Sequence, residues 1–258
     1  MAVELKGLWC RFMQRSHINT KYDEELSLLK QKILRMGERV EHNIVSAITS
    51  VTTRDLDLAQ AIIDSDQQIN ELEVDTEEMC LRMIALRQPA GKDLRFISTA
   101  MKIITTLERM GDLATNVAKR SIEMFEDPRS GVCFHLPVMA ESTEELVRNA
   151  LDAFIKEDVE QALQVCKDDS YVDSIYKKVI EELLNMMSEH TIAIPRAMKI
   201  MFVAKYLERI ADHAVHISEM VVFMVVGKII RHQQKTLDYL DEQFHEPRNE
   251  TLLEAPKT

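Results

Sequence analysis

The chain has 258 residues, a formal net charge of −11, 6 Gly, 6 Pro and 5% aromatics. That length holds one large domain or two of ordinary size, and such sparse turn residues argue against a β protein and for long helices joined by few turns. The negative balance argues against a nucleic-acid partner, whose phosphates would be repelled, and suits cation binding.

The start, "MAVELKGLWCRFMQRSHINTK", is interrupted too often by charge to be a signal-peptide core and reads as an N-terminal extension, residues 1–21. A first helical stripe follows at three-and-four spacing through Leu26, Leu29, Ile33, Met36, Val40, Ile44, Ile48 and Val51. "TTRDLD" at Thr52 to Asp57 supplies turn and capping residues. The second stripe runs through Ile62, Ile69, Leu72, Thr76, Met79, Met83 and Leu86, and "QPAGKD" from Gln88 to Asp93 stops it. The third passes through Leu94, Ile97, Met101, Ile104, Leu107, Gly111 and Ala114.

Glu126 to Pro137, "EDPRSGVCFHLP", is the one dense cluster of breakers and is expected to link two repeats. After it the pattern restarts. Ala47, Asp55, Ala59, Asp66 and Leu72 match Ala150, Asp158, Ala162, Asp169 and Ile175 at an offset of 103. By the third helix the offset is 100, which predicts a loop shorter by three residues in the second copy. A period near one hundred residues points to a duplicated domain rather than a solenoid. The expected fold is all-α: two tandem antiparallel three-helix bundles, residues 22–126 and 137–232, with a tail at 233–258.

Cys10, Cys80, Cys133 and Cys166 lie far apart without a Cys-x-x-Cys pair, so neither a zinc cluster nor a disulfide framework is expected, and a reducing cytoplasm fits. No stretch reaches the roughly 20 apolar residues of a membrane span. The nearest, Val221 to Gly227, is short and follows Glu219. Met and Val from Met220 to Val226 fit core packing or a dimer contact, with helical spacing favouring core.

The third helix of each half carries a Glu and an Asp four residues apart, Glu108 with Asp112 and Glu208 with Asp212. One helical turn puts both carboxylates on one side, where their repulsion weakens the helix by a few tenths of a kcal/mol. On a helical wheel they fall at the edge of the apolar arc, and His216 extends the second strip. For either pair alone, an ordinary boundary residue pairing with a neighbouring Lys or Arg is the default reading. Carboxylates gathered from several helices would instead need a cation, and oxygen ligands suit Mg, Mn or Fe(II). The second helices add Asp169 and Asp173, one turn apart, and in the first half Asp66 with Asn70. Glu71 and Asp75 are weaker candidates on a surface where acids are common.

"RQPAGKDLR" from Arg87, "LERMGDLATNVAK" from Leu107 and "YLERIADHAVHISE" from Tyr206, on a duplicated three-helix layout, resemble the PhoU family of phosphate-signalling regulators from about Tyr22 to Lys228. The resemblance implies a cytoplasmic accessory protein of a phosphate transport system that represses the phosphate-starvation response. Its implied partners are the transporter's ATPase subunit and a sensor histidine kinase. It also implies metal clusters, of Fe, Mn or Zn, held through Glu/Asp-x-x-x-Asp motifs. Carried over by position, these fall on Glu108, Asp112, Glu208, Asp212, Asp169, Asp173 and Asp66. Asn70 departs from the pattern, which makes the first cluster the weaker or incomplete one. A homodimer is expected.

Two other functions compete. A ferritin-type di-iron enzyme needs Glu-x-x-His on two helices, and here that spacing occurs only at Glu242 to His245 in the tail. No Gly-rich phosphate loop or nucleophile elbow appears, so no enzyme is expected. The second rival is a metal-free helical adaptor that works through helix faces.

Overall fold

A computed structural model describes residues 20–125, 133–189 and 194–230. Among them are six helices and no strand: α1 (Thr20–Thr53), α2 (Leu56–Arg87), α3 (Gly91–Glu123), α4 (His135–Lys156), α5 (Val159–Glu189) and α6 (Ile194–Val226). The short links before α2, α3 and α5 make the helices they join antiparallel.

Local chemistry repeats between the halves. Before α2, Arg54 takes the left-handed conformation (φ 59°), and the Asp55 carboxylate caps the helix by accepting from the Leu58 amide at 2.9 Å. Before α5, Glu157 (φ 52°) and Asp158 do the same, the latter accepting from the Gln161 amide at 3.0 Å. Each cap is worth about 1 kcal/mol. Gln88, also left-handed, ends α2, and Pro89 prevents its continuation.

Residues 88–90 join α2 to α3, and the shorter loop expected in the second copy falls at 190–193, outside the described residues. The second bundle also begins before Pro137, because Pro137 sits in the first turn of α4, where its missing N–H costs nothing. Glu182 of α5 fastens that start, accepting from the Phe134 amide at 2.7 Å and facing His135 Nδ1 at 2.9 Å.

α3 and α6 form the centre and pack antiparallel against each other. Arg95, near the start of α3, donates to the Met224 carbonyl at the end of α6 at 3.3 Å. Lys199, near the start of α6, donates to the Glu123 carbonyl at the end of α3 at 2.7 Å. Each cation thus satisfies a helix C-terminus that has run out of intrahelical donors. α1 and α4 also meet across the halves, where Gly37 lets Leu151 approach and Arg148 reaches Glu41. Lys30 and Lys92 both hold Glu157.

The core is one continuous cluster through both halves, with Leu107, Met110, Leu207 and Ile210 among its buried members. Met220, Val221, Val222 and Met224 are buried as well, so the apolar end of α6 contributes to the core. Two expected stripe residues lie outside: Leu86 and Leu94, at helix ends flanking the 88–90 link, are exposed. No described helix is long and apolar enough to cross a membrane.

Candidate cation strips on the helix pairs

In the second half α5 and α6 bring Asp169, Asp173, Glu208 and Asp212 to one seam. Asp169 and Glu208 are half-buried, while Asp173 and Asp212 are exposed. Burial, then the negative charge of Asp173, Asp212 and Glu208, pushes the Asp169 carboxyl up to about 6. Asp212 is also raised, by burial and by Glu208, against the pull of Lys205. These are the effects expected of carboxylates crowded at a partly dry seam. Lys205 offsets some of the charge, with its ammonium 2.6 Å from Glu208 and 5.5 Å from the Tyr176 ring centroid.

The first half gathers Asp66 from α2 with Glu108 and Asp112 from α3, and adds a residue that sequence reasoning missed. Glu73, half-buried, is raised by burial and by Glu77, with Asp112 adding to the effect and a hydrogen bond with Thr105 opposing it. Glu108 is raised by burial, then by Asp112 and Glu73. Asp112 is raised by burial and by Asp66, with Lys119 opposing. The signal for Glu73 was its spacing of seven from Asp66, two turns along the same face. It stands one turn beyond Asn70, so the first strip has four carboxylates after all.

The weaker candidates turn elsewhere. Glu71 accepts from Gln67 at 3.0 Å, and Asp75 pairs with Lys32 at 3.7 Å. His216 pairs with Glu219 at 3.3 Å. His213 lies at the α3–α6 seam, where burial and then Arg109 push its pKa down to about 4. Glu242 and His245 lie outside the described residues. Cys80, Cys133 and Cys166 are free thiols, each pushed up to about 12 by burial.

Among the described residues no three His, Cys, Asp or Glu side chains converge closely enough to hold a metal ion as they stand. In each strip one acid is turned to a neighbour: Thr115 donates to Asp66 Oδ1 at 3.0 Å, and Lys205 takes Glu208. The donor set in each strip is one that hard cations favour. It is oxygen-only, drawn from two helices, and its members repel one another without one.

The described helices thus form a duplicated scaffold with a carboxylate strip on each half. The PhoU domain model matches residues 33–121 and 136–221, one match per half. The chain belongs to the PhoU family of phosphate transport accessory proteins. It is 38% identical over 219 residues to a phosphate-specific transport system accessory protein PhoU homolog of Pseudomonas putida, covering 84% of this chain and 85% of that one. It is 32% identical over 216 residues to the accessory protein PhoU of Escherichia coli K12, covering 84% and 90%. The crystal structure of PhoU from Pseudomonas aeruginosa superposes with a TM-score of 0.78 at 37% identity, covering 80% of this chain and all of that one. The phosphate transport system regulatory protein PhoU from Streptococcus pneumoniae gives 0.75 at 27% identity, covering 81% and 98%.

Proposed function

We propose that this protein is a cytoplasmic regulator of phosphate uptake that represses the phosphate-starvation response through protein contacts and performs no chemistry itself. Its partners on this reading are the phosphate transporter's ATPase subunit and a sensor histidine kinase, and it works as a homodimer. The observation that carries the reading is the two-fold family match along a chain whose relatives are accessory proteins of phosphate transport. Deleting the gene and measuring starvation-gene transcription and phosphate uptake under phosphate excess tests it. Constitutive transcription in the deletant is expected, and an unchanged phosphate response would contradict the role.

The two strips bind divalent or transition cations, drawn from Fe, Mn, Zn and Mg. Asp169, Asp173, Glu208 and Asp212 hold one site, and Asp66, Glu73, Glu108 and Asp112 the other. A bound cation would supply positive charge that relieves the repulsion among its four carboxylates. The raised Asp169 carboxyl and the mutual repulsion of the strip residues support this. Partner capture at low and at high metal separates the reading from a metal-free adaptor: capture that ignores metal would favour the adaptor.

A further inference from the structure

The outer face of α2 carries an apolar stripe that the bundle leaves uncovered. Val74 and Leu81, two turns apart on one side of the helix, are 55% and 52% exposed, and Leu86, 70% exposed at the helix end, lies about a third of a turn round from them. Leu28 of α1 is exposed in the same stretch of the hairpin, between the Arg87–Glu25 and Lys32–Asp75 ion pairs. An outward stripe at that spacing is the surface on which a further helix packs. The face around it is acidic, with Glu71, Glu77 and Glu78 exposed against Arg82, while Asp75 is paired with Lys32.

Residues 1–19 precede α1 and lie outside the described residues. Their composition complements this face in both respects. Lys6, Arg11 and Arg15 stand against Glu4 in a chain that is otherwise acidic. Counted at helical spacing, Leu5, Leu8, Trp9, Phe12 and Met13 share one side, and the bases flank it.

Position agrees with charge. The Arg87–Glu25 pair, at 2.6 Å, holds the start of α1 beside the end of α2, so the segment enters next to Leu86. At 1.5 Å per residue, Val74 to Leu86 spans about 18 Å and residues 1–14 would cover about 20 Å, leaving a few residues for the turn. The tail after α6 leaves from the same end of the bundle, but residues 231–258 carry six acids against four bases, the same sign as the face. Charge selects the N-terminal segment.

We propose that residues 1–19 dock on the α2 face of their own chain, with Trp9 against Leu81, Leu5 toward Val74 and the bases over the surrounding carboxylates. Trp9 is the chain's single tryptophan, so its emission reads the docking directly in the full-length protein. Blue-shifted emission and weak acrylamide quenching are expected for the wild type. Leu81→Asp, and separately Arg11→Glu with Arg15→Glu, should each give a red shift and a several-fold rise in quenching with the helical circular dichroism unchanged. The second variant lies outside the bundle and leaves its packing intact. A wild-type Trp9 quenched as fully as free tryptophan, or either variant leaving the emission unmoved, overturns the assignment. So does a blue shift lost on dilution, which would assign the segment to a second copy. A blue shift that arises only with phosphatidylglycerol vesicles would assign it to lipid and overturn it equally.

Discussion

Position by position, Glu73, Thr105 and Thr115 of the first half correspond to Tyr176, Lys205 and Val215 of the second. In the first half a carboxylate, a hydroxyl hydrogen-bonded to it, and a second hydroxyl donating to Asp66 make a strip whose charge is softened by neutral donors. In the second half a lysine held over an aromatic ring supplies a full positive charge to Glu208, and no hydroxyl stands at 215 to meet Asp169. Duplication kept the four-carboxylate count while moving one acid by a turn, from the place of Asp173 to Glu73. The two strips therefore differ less in how many oxygens they offer than in what already occupies those oxygens.

Exchanging the differing residues gives the largest expected effect. Lys205→Thr makes the second strip resemble the first and frees Glu208 from its ion pair. A partly exposed pair of this kind is worth up to about 1 kcal/mol, so Mn²⁺ affinity of the second strip should rise by up to about fivefold in calorimetric titration. Weaker binding would mean that Lys205 positions Glu208 for the cation rather than competing with it.

The raised Asp169 carboxyl ties the stability of the second half to pH. Its folded value of about 6 lies above the ordinary 3.8, so the native state binds more protons than the unfolded chain between those values. Stability contributed by this group is therefore present at low pH, is lost as pH rises from about 4 to about 6, and stays lost above. In chelator, Asp169→Asn should stabilise the protein at pH 7 by about 1 kcal/mol, after allowing for solvent screening of a partly exposed group. Thermal melts at pH 7 and pH 4 check this: the gain should vanish at the lower pH, and an equal gain at both would remove the titration from the explanation.

A smaller effect tests whether the halves share one packing solution. Gly111 faces Ile69, whose Cδ1 lies 3.1 Å from where a Cβ would stand. The equivalent pair is Ala211 and Val172, both buried, which carries the same number of side-chain carbons. Gly111→Ala gains about 1 kcal/mol of helix propensity but presses on Ile69, so alone it should be nearly neutral. Made together with Ile69→Val it should recover most of that gain, and a double-mutant cycle in urea reads the coupling.

The helices and the duplication were legible because three-and-four periodicity and a constant offset survive in single residues such as Ala47 with Ala150 and Asp55 with Asp158. The turn chemistry was legible for the same reason, since an Asp before each second helix has one use there. What was not legible depended on neighbours along another helix. Glu73 is set apart from other surface acids only by Thr105 and Asp112 of α3 beside it, and Lys205 from other surface bases only by Glu208 and by Tyr176 of α5. The shortening of the second copy shows in the offset from 103 to 100, and its place falls at 190–193, outside the described residues. For Met220 to Val226 helical spacing favoured core over contact, and the place of α6 at the centre, packed against α3, α4 and α5, gives the reason.

The central claim is that each half holds a cation through its own strip. Elemental analysis of protein purified without chelator tests it in the wild type, in Glu108→Ala/Asp112→Ala and in Glu208→Ala/Asp212→Ala. The account predicts metal in the wild type and loss of one half's share in each double variant, the other half's share remaining. The same negligible content in all three proteins would contradict it.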